Sequence, residues 1–333
     1  MADPYGATRR PPFGHTARMS SELRRTMDRQ PEDLRRILAD PGPAAAAADQ
    51  LRDRRVFIVG TGTSWHACNH GGYFLRAAGL DARPVEAFDA AIGGPHPTAA
   101  DALLLLSHRN TKRYATVVRE RAAALGVPTI VITGIGAGGD IETVPGETTA
   151  AFTASHLGAL ARLAQIAVAL GADLGDLGAV PDAVAAALAG AGPQVTAPQR
   201  LLEFTGSGTN AWTAAEGALK VRETAYVATE GLSAEQLYHG PSVGLQPGDA
   251  LVALDGGGEG GERVLEIADG AERFGVRVHR ISEHCLGEPL SVFPLTVAVQ
   301  RIALEIAEEL GTNPDSFGKD RPGATDAWGS IAL

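Results

Sequence analysis

The sequence is poor in cysteine and in positive charge. Its 333 residues include only two cysteines, Cys68 and Cys285, which are too few for a disulfide framework and typical of a reducing cytosol. The 29 Lys and Arg residues against 39 Asp and Glu give a net charge of −10. Nucleic acid is therefore not expected as a partner, because phosphate backbones select basic surfaces. A small anionic ligand needs only a local positive pocket and is not excluded.

Long apolar runs are also missing from the sequence. We find no apolar stretch of membrane-spanning length, and the N-terminus lacks the hydrophobic core of an export signal. We therefore expect a cytoplasmic protein without a membrane partner. A hydrophobic content of 44% is that of a globular protein with real cores, and the chain is long enough for two domains.

Short apolar runs alternate with helical stretches along the first half of the chain. The runs lie at 56–59, 83–87, 102–106 and 127–133. This alternation predicts an α/β fold with a parallel sheet covered by helices on both faces. In such sheets ligands bind at the carboxyl ends of the strands.

The chain then repeats this pattern. Gly206-Ser207-Gly208-Thr209-Asn210 echoes Gly60-Thr61-Gly62-Thr63-Ser64, and the run at 249–254 echoes the run at 101–106. Self-similarity on this scale predicts two copies of one α/β unit. The loop at 255–261 in the second copy is mostly glycine and has lost basic groups, so we expect the anion site in the first copy.

One stretch carries a pattern typical of proton transfer. Glu216, Lys220 and Glu223 stand at i, i+4 and i+7, so a helix projects all three from one face. His239 follows at a Gly-Pro turn, and carboxylate and imidazole are the groups most easily tuned to exchange protons near neutral pH. A solvated charged helix face with a loop histidine is the alternative interpretation.

Several motifs together resemble the sugar isomerase (SIS) family, in particular the isomerase part of glucosamine-6-phosphate synthase and its stand-alone relatives. The matching segments are Gly62-Thr63-Ser64, Ser107, Phe152-Thr153, Glu216-Gly217-Ala218-Leu219-Lys220-x-x-Glu223 and His239-Gly240-Pro241. The resemblance implies two tandem SIS subdomains, each a parallel sheet flanked by helices in a flavodoxin-like three-layer sandwich. We divide the chain into an N-terminal extension and helix (1–45), subdomains at 46–192 and 193–310, and a tail (311–333).

The resemblance also implies roles for individual residues. Glu223 matches the base that moves a proton between C1 and C2 of a sugar phosphate, and Lys220 matches a lysine near the hydroxyls of those carbons. His239 matches a ring-opening histidine that the neighbouring subunit of a homodimer delivers to a shared site. The predicted substrate-binding residues are Gly62, Thr63, Ser64, Ser107, His108, Arg109, Thr111, Lys112 and Thr148.

Three departures from the family pattern bear on the substrate. The loop Ser-Gln-Ser-Gly-Glu-Thr reads Ser107-His108-Arg109-Asn110-Thr111-Lys112 here, which trades phosphate-binding hydroxyls for basic groups. The segment Ser-Thr-Lys-Ala reads Thr148-Thr149-Ala150-Ala151, and Lys319 is out of register with the tail lysine of the synthase. The glutaminase domain of the synthase has no counterpart in the sequence.

We therefore expect an aldose–ketose isomerase or deaminase acting on a hexose or hexosamine 6-phosphate. An enzyme of specialised metabolism with an altered substrate, or a non-catalytic module that senses a sugar phosphate, are the alternatives. His66, His108 and His156 do not form metal-ligand spacing with each other or with the cysteines. We predict neither a metal nor another cofactor.

Overall fold

The computed structural model describes residues 21–190, 194–329 and 331. Three helices come first: α1 (Glu22–Asp28), α2 (Gln30–Leu38) and α3 (Gly42–Leu51). The first sheet unit follows, with β1 (Val56–Gly60), α4 (Thr63–Ala77), β2 (Ala82–Glu86), α5 (Ala87–Ile92), β3 (Ala102–Leu106), α6 (Arg113–Ala124), β4 (Thr129–Thr133), β5 (Ile141–Glu142), α7 (Ala154–Ala169) and α8 (Val180–Ala189).

The second unit consists of β6 (Leu202–Gly206), α9 (Asn210–Ala225), β7 (Thr229–Ser233), α10 (Ala234–Tyr238), β8 (Ala250–Asp255), α11 (Gly258–Arg273), β9 (Arg277–Ser282) and α12 (Glu288–Leu310). A short helix, α13 (Ala324–Trp328), lies in the tail. Single 3-10 turns occur at Leu177–Ala179 and Pro241–Gly244.

The two sheets share one topology. The first has the order β2-β1-β3-β4-β5 and the second β7-β6-β8-β9, and the strand pairs in both are parallel. Val56 pairs with Ala82 and Ala102, and Leu202 pairs in the same way with Thr229 and Ala250. The predicted internal repeat and the predicted α/β fold with two tandem units are therefore confirmed.

Each sheet is covered by helices on both faces. Along β3, Leu104 and Leu106 belong to the core under α4 and α7, while Leu103 and Leu105 belong to the core under α5 and α6. The second sheet likewise packs one face on α9 and α12 and the other on α10 and α11. Because β1, β3 and β8 are buried on both sides, they read as continuous apolar runs rather than alternating ones, whereas β6 is equally buried but contains Glu203 and Thr205.

Helix α12 joins the two units. Leu290 and Phe293 near its start belong to the first core, while Val299 and Ile302 belong to the second. Among the described helices it alone is long and apolar enough to cross a membrane, but 83% of its apolar window is buried inside the protein. Charged residues such as Arg301 and Glu305 interrupt its apolar run, which is why the sequence shows no continuous stretch of membrane-spanning length. Its burial is that of a core helix.

The order of the elements agrees with the predicted alternation, with two differences. Strand β7 (Thr229–Ser233) was not predicted, because its sequence TEGLS has little apolar character, and neither was β5, which has only two residues. Helices α2 and α3 pack on α7, and the proposed boundary at residue 45 falls inside α3. The division at 46–192 and 193–310 stays a prediction.

Candidate active site

A cavity of about 220 Å³ lies at the carboxyl ends of β1, β3 and β4. Its polar wall contains most of the residues that the sequence pointed to as substrate-binding. They are Gly62, Thr63, Ser64, Ser107, His108, Arg109 and Lys112. Glu223 from α9 of the second unit lines the same cavity, so the two halves of the chain meet there. The prediction that ligands bind at this edge of the sheet agrees with this geometry.

The turn after β1 requires glycine at two positions. Gly62 has φ +58°, a conformation that other residues adopt only with strain, and α4 begins at the next residue. At Gly60 a Cβ would collide with the backbone of Ser64. The backbone at the start of α4 can therefore approach a ligand closely, at a helix N-terminus of the kind that favours anions.

The loop after β3 contains buried polar atoms that are not hydrogen-bonded to other described residues. The Oγ of Ser107 and the Nδ1 of His108 are buried and have no hydrogen-bond partner in the described part of the chain. Phe152 holds the next residues in place: its ring centroid lies 5.1 Å from the guanidinium of Arg109 and 5.4 Å from the ring of His108. Buried polar groups are normally paired, so these atoms are available to a ligand.

The electrostatics of this loop favour an anion. Burial lowers the pKa of His108, with the charges of Arg109 and Arg29 adding to the effect against the pull of Glu147. Burial and the charge of Arg109 also lower the pKa of Lys112. Burial is the largest cause of both shifts; the part that comes from Arg109 is repulsion between like charges, which a bound anion relieves.

Helix α9 carries a buried network of two carboxylates and one ammonium. Lys220 is 1% exposed, and its Nζ donates to Glu223 and lies 3.3 Å from an oxygen of Glu216. The same Nζ donates to the Oγ1 of Thr63 at 2.9 Å. Glu216 in turn accepts from Thr63 at 3.2 Å and lies 2.6 Å from the Nδ1 of His66. The predicted placement of Glu216, Lys220 and Glu223 on one face is confirmed, and that face is buried rather than solvated.

The two carboxylates of the network differ in their proton affinity. Burial would raise the pKa of Glu216, but Lys220 and the neighbouring imidazoles outweigh it and hold the pKa well below its usual range. For Glu223, burial and the charge of Glu216 raise the pKa above its usual value despite the pairing with Lys220. Glu216 therefore stays ionised and orients Lys220, while Glu223 on the cavity wall is the carboxyl that more readily takes up a proton.

Four of the predicted site residues lie outside the cavity wall. Lys220 does not line the cavity, but its Nζ donates to Thr63 and Glu223, which do. Thr111 is exposed, and Thr148 is exposed with its hydroxyl donated to Glu22. The side chain of His239 is 67% exposed and lies within 3.2 Å of a carboxylate oxygen of Glu235 at i−4, away from the cavity of its own chain.

Sequence reasoning did not assign several cavity-lining residues to the site, His156 and Phe317 among them. His156 enters from the first turns of α7, and Phe317 enters from the tail with φ +53°. The hydroxyl of Tyr226, at the end of α9, holds the tail by accepting from the backbone N–H of Gly318 at 3.1 Å and bonding Ser316 Oγ at 2.7 Å. His156 is one of four polar residues in the mostly apolar helix α7, beside Ser155, Arg162 and Gln165, so the signal for it was weak; no local pattern marked Phe317.

No cluster of three or more His, Cys, Asp or Glu side chains suited to a metal occurs among residues 21–190, 194–329 and 331. The prediction of a metal-free site stays a prediction.

No family model matches the chain. Curated relatives do: glutamine–fructose-6-phosphate aminotransferase (isomerizing) of Pyrococcus horikoshii is 36% identical over 126 residues, which is 34% of this chain and 21% of that protein. The enzyme of the same name from Aeropyrum pernix is 28% identical over 245 residues, or 65% of this chain and 40% of the relative. The chain thus spans well under half the length of these relatives.

Solved structures extend the likeness to the fold of most of the chain. The C-terminal domain of glucosamine-fructose-6-phosphate aminotransferase from Francisella tularensis has a TM-score of 0.75 at 17% identity, covering 89% of this chain and 98% of that one. Tagatose-6-phosphate ketose/aldose isomerase from Escherichia coli also reaches 0.75 at 17% identity, over 91% of this chain and 98% of that one. The predicted resemblance is therefore confirmed: the chain has the fold of the sugar isomerase (SIS) proteins and is similar in sequence to the isomerizing aminotransferases.

Proposed function

We propose that the protein is an aldose–ketose isomerase or deaminase of a hexose or hexosamine 6-phosphate. The observation that carries this proposal is the position of Glu223, a carboxylate of raised pKa on the wall of the cavity. The cationic loop after β3 lines the same cavity. A phosphosugar requires both features, a cationic site for the phosphate and a carboxylate for a carbon-bound proton. Relatives in fold include a tagatose-6-phosphate isomerase and a glucosamine-6-phosphate deaminase.

The proton transfer uses Glu223 twice. Its carboxylate takes the proton from C2 of the open-chain aldose, and the electron pair left on carbon forms the C1–C2 double bond of an enediolate. The carboxylic acid then returns the proton to C1 while the hydroxyl proton of O2 passes to O1, so that the carbonyl now lies at C2 and the ketose is complete. Lys220, fixed by Glu216 and Thr63, supplies the positive charge that offsets the developing negative charge near Glu223. With an amino group at C2, the same transfer yields an imine that water hydrolyses to release ammonia.

The first test is NMR of the purified protein with fructose 6-phosphate alone and with glucosamine 6-phosphate. Exchange of deuterium from solvent into C1 or C2, or release of ammonia, supports the proposal. A folded protein that binds neither compound and exchanges no proton contradicts it. Binding without exchange favours a sensing module instead.

An altered substrate is the second candidate function. It is favoured by the loop after β3, where Arg109, in place of the serine of the family pattern, stacks on Phe152, and His108 stands in place of glutamine. Such a wall suits a carboxylate or a differently placed phosphate as well as a 6-phosphate. Melting temperatures with a panel of phosphorylated, carboxylated and neutral sugars separate these classes, because a tight ligand stabilises the folded protein by mass action.

We further propose a cytoplasmic homodimer with a shared site. His239 lies away from the cavity of its own chain, so the ring-opening role that the resemblance implies requires delivery from a partner. Mixing the inactive variants Glu223→Gln and His239→Ala tests this proposal. Random exchange of subunits restores about a quarter of the activity, because half of the dimers carry one intact site of two. No recovery after confirmed exchange contradicts a shared site.

A further inference from the structure

His156 is a buried histidine whose ring takes no part in the hydrogen bonds of the described residues. It stands in the first turn and a half of α7, is 1% exposed, and lines the cavity described above. Neither of its ring nitrogens has a hydrogen-bond partner among the described residues. The carbonyl of Thr63 faces the ring closely enough to raise its pKa slightly, but without good hydrogen-bond geometry. A buried polar group without a partner is rare and points to a bound molecule.

The position of His156 is fixed by the start of its helix. The carboxylate of Glu147 accepts from the backbone N–H groups of Thr153 at 3.0 Å and Ser155 at 2.8 Å, which caps α7 directly before His156. The surrounding helix is buried along most of its length. The ring therefore meets a ligand as a preorganised group rather than as a mobile surface side chain.

The ring is uncharged at neutral pH. Burial lowers the pKa of His156 to about 4; the charge of Glu216 opposes this shift, and the charges of His66 and Lys220 add to it. A neutral imidazole offers one N–H donor and one bare nitrogen acceptor. A hydroxyl group, which both donates and accepts, matches it, whereas a phosphate dianion gains more from Arg109 and Lys112.

We propose that His156 binds a hydroxyl of the ligand and so determines specificity for a polyhydroxylated chain, while the loop after β3 takes the anionic group. This inference rests on the proposed function, because it assigns the neutral part of a phosphosugar to one wall of the cavity. It adds a binding residue that none of the recognised motifs contains.

A second histidine shows that burial alone does not leave a ring unpaired. His70 lies with its ring centroid 5.6 Å from that of His156, is fully buried, and has a pKa lowered by burial to about 3. Its Nδ1 bonds the carbonyl of His66 at 2.8 Å and its Nε2 bonds Thr213 Oγ1 at 3.1 Å. His70 does not line the cavity and is the matched control.

The experiment measures calorimetric binding of fructose 6-phosphate and of inorganic phosphate to the unaltered protein and to His156→Phe, His156→Gln and His70→Gln. We expect His156→Phe to bind fructose 6-phosphate about tenfold more weakly, the loss of one hydrogen bond between neutral groups, with unchanged affinity for inorganic phosphate. His156→Gln, which keeps a donor and an acceptor, recovers part of the loss, and His70→Gln binds as the unaltered protein does.

The outcomes separate two failures. Fructose 6-phosphate affinity that is unchanged in His156→Phe overturns the inference alone, as does an equal loss for both probes, which indicates general damage to the cavity. An unaltered protein that binds no phosphosugar overturns the proposed function and the inference together. Nitrogen-15 NMR of the His156 ring gives a second readout: the ring resonances shift on addition of fructose 6-phosphate and not on addition of inorganic phosphate.

Discussion

The loops at the carboxyl ends of the two sheets occupy equivalent positions, but they differ in whether their polar groups are paired within the protein. After β3, Ser107 and His108 keep buried polar atoms that nothing in the described chain pairs. After β8, the carboxylate of Asp255 accepts from the backbone N–H of Gly257 at 2.9 Å and lies 2.8 Å from His284 Nε2. The turn after β6, which repeats the turn after β1, is likewise closed, because Thr209 donates to Glu288 at 2.8 Å.

This difference separates a binding site from a structural copy. The second edge carries the carboxylates of Glu288 and Asp255, which repel an anion and take up the donors of Thr209 and Gly257. The first edge carries Arg109 and Lys112 beside unpaired polar atoms. The second unit contributes instead through α9, which brings Glu223 to the cavity of the first.

The largest effect that distinguishes the two edges is expected for Glu223→Gln. The amide keeps the shape and can still accept from Lys220, but it cannot take up a proton, so turnover falls by about 100- to 10,000-fold. Ligand affinity changes little. Steady-state assays and calorimetry measure the two effects separately. The matched variant at the second edge, Glu288→Gln, retains turnover; normal turnover in Glu223→Gln removes the proposed mechanism.

The next effect concerns stability. Lys220→Met removes the only ammonium from the buried network and leaves Glu216 and Glu223 without their cation. Loss of one partner of a buried ion pair costs about 3–5 kcal/mol of unfolding free energy. Urea unfolding measures it, and we expect a smaller loss at pH 5 than at pH 8, because protonation relieves the unpaired carboxylates. A loss below 1 kcal/mol at both pH values contradicts a buried network.

A smaller effect is expected from the cationic loop. The double variant Arg109→Ala, Lys112→Ala loses charge-assisted contacts and binds a phosphosugar about 10- to 100-fold more weakly, with a weaker dependence on salt. Glu262→Gln, near the start of α11 at the equivalent edge of the second unit, leaves affinity unchanged. An equal effect of both changes indicates long-range charge rather than direct binding by the first loop.

The sequence predicted the parts of the site that local patterns encode. The continuous apolar runs of β1 and β3 located the edge of the sheet, and the i, i+4, i+7 spacing located the face of α9. Strand β7 was missed because its Gly231 is required by close packing, where a Cβ would collide with the backbone of Ala214, rather than by strand propensity. His156 and Phe317 reach the cavity only through tertiary packing, which no spacing in the sequence records.

The smallest expected effect is an opposite pH dependence of the two units. In the first, burial lowers the pKa of His156 to about 4. The folded state keeps this ring neutral, so the protein loses stability as the pH falls from 6.5 towards 4 and loses none from this group above pH 6.5. In the second, burial raises the pKa of Glu203 to about 7; the charges of Glu230 and Asp249 add to this shift, and Arg222 and Arg200 oppose it.

The contribution of Glu203 therefore has the reverse sign. Its protonated form fits the fold below pH 4.5, and stability is lost as the pH rises through 7 and the buried carboxyl ionises. Glu203→Gln removes that loss, so we expect this variant to be more stable than the unaltered protein at pH 8.5, by on the order of 1 kcal/mol, and nearly equal at pH 5. Thermal unfolding at the two pH values measures the difference, with the exposed Glu259→Gln as control. A gain at pH 5 that equals the gain at pH 8.5 shows that packing, and not ionisation, is responsible.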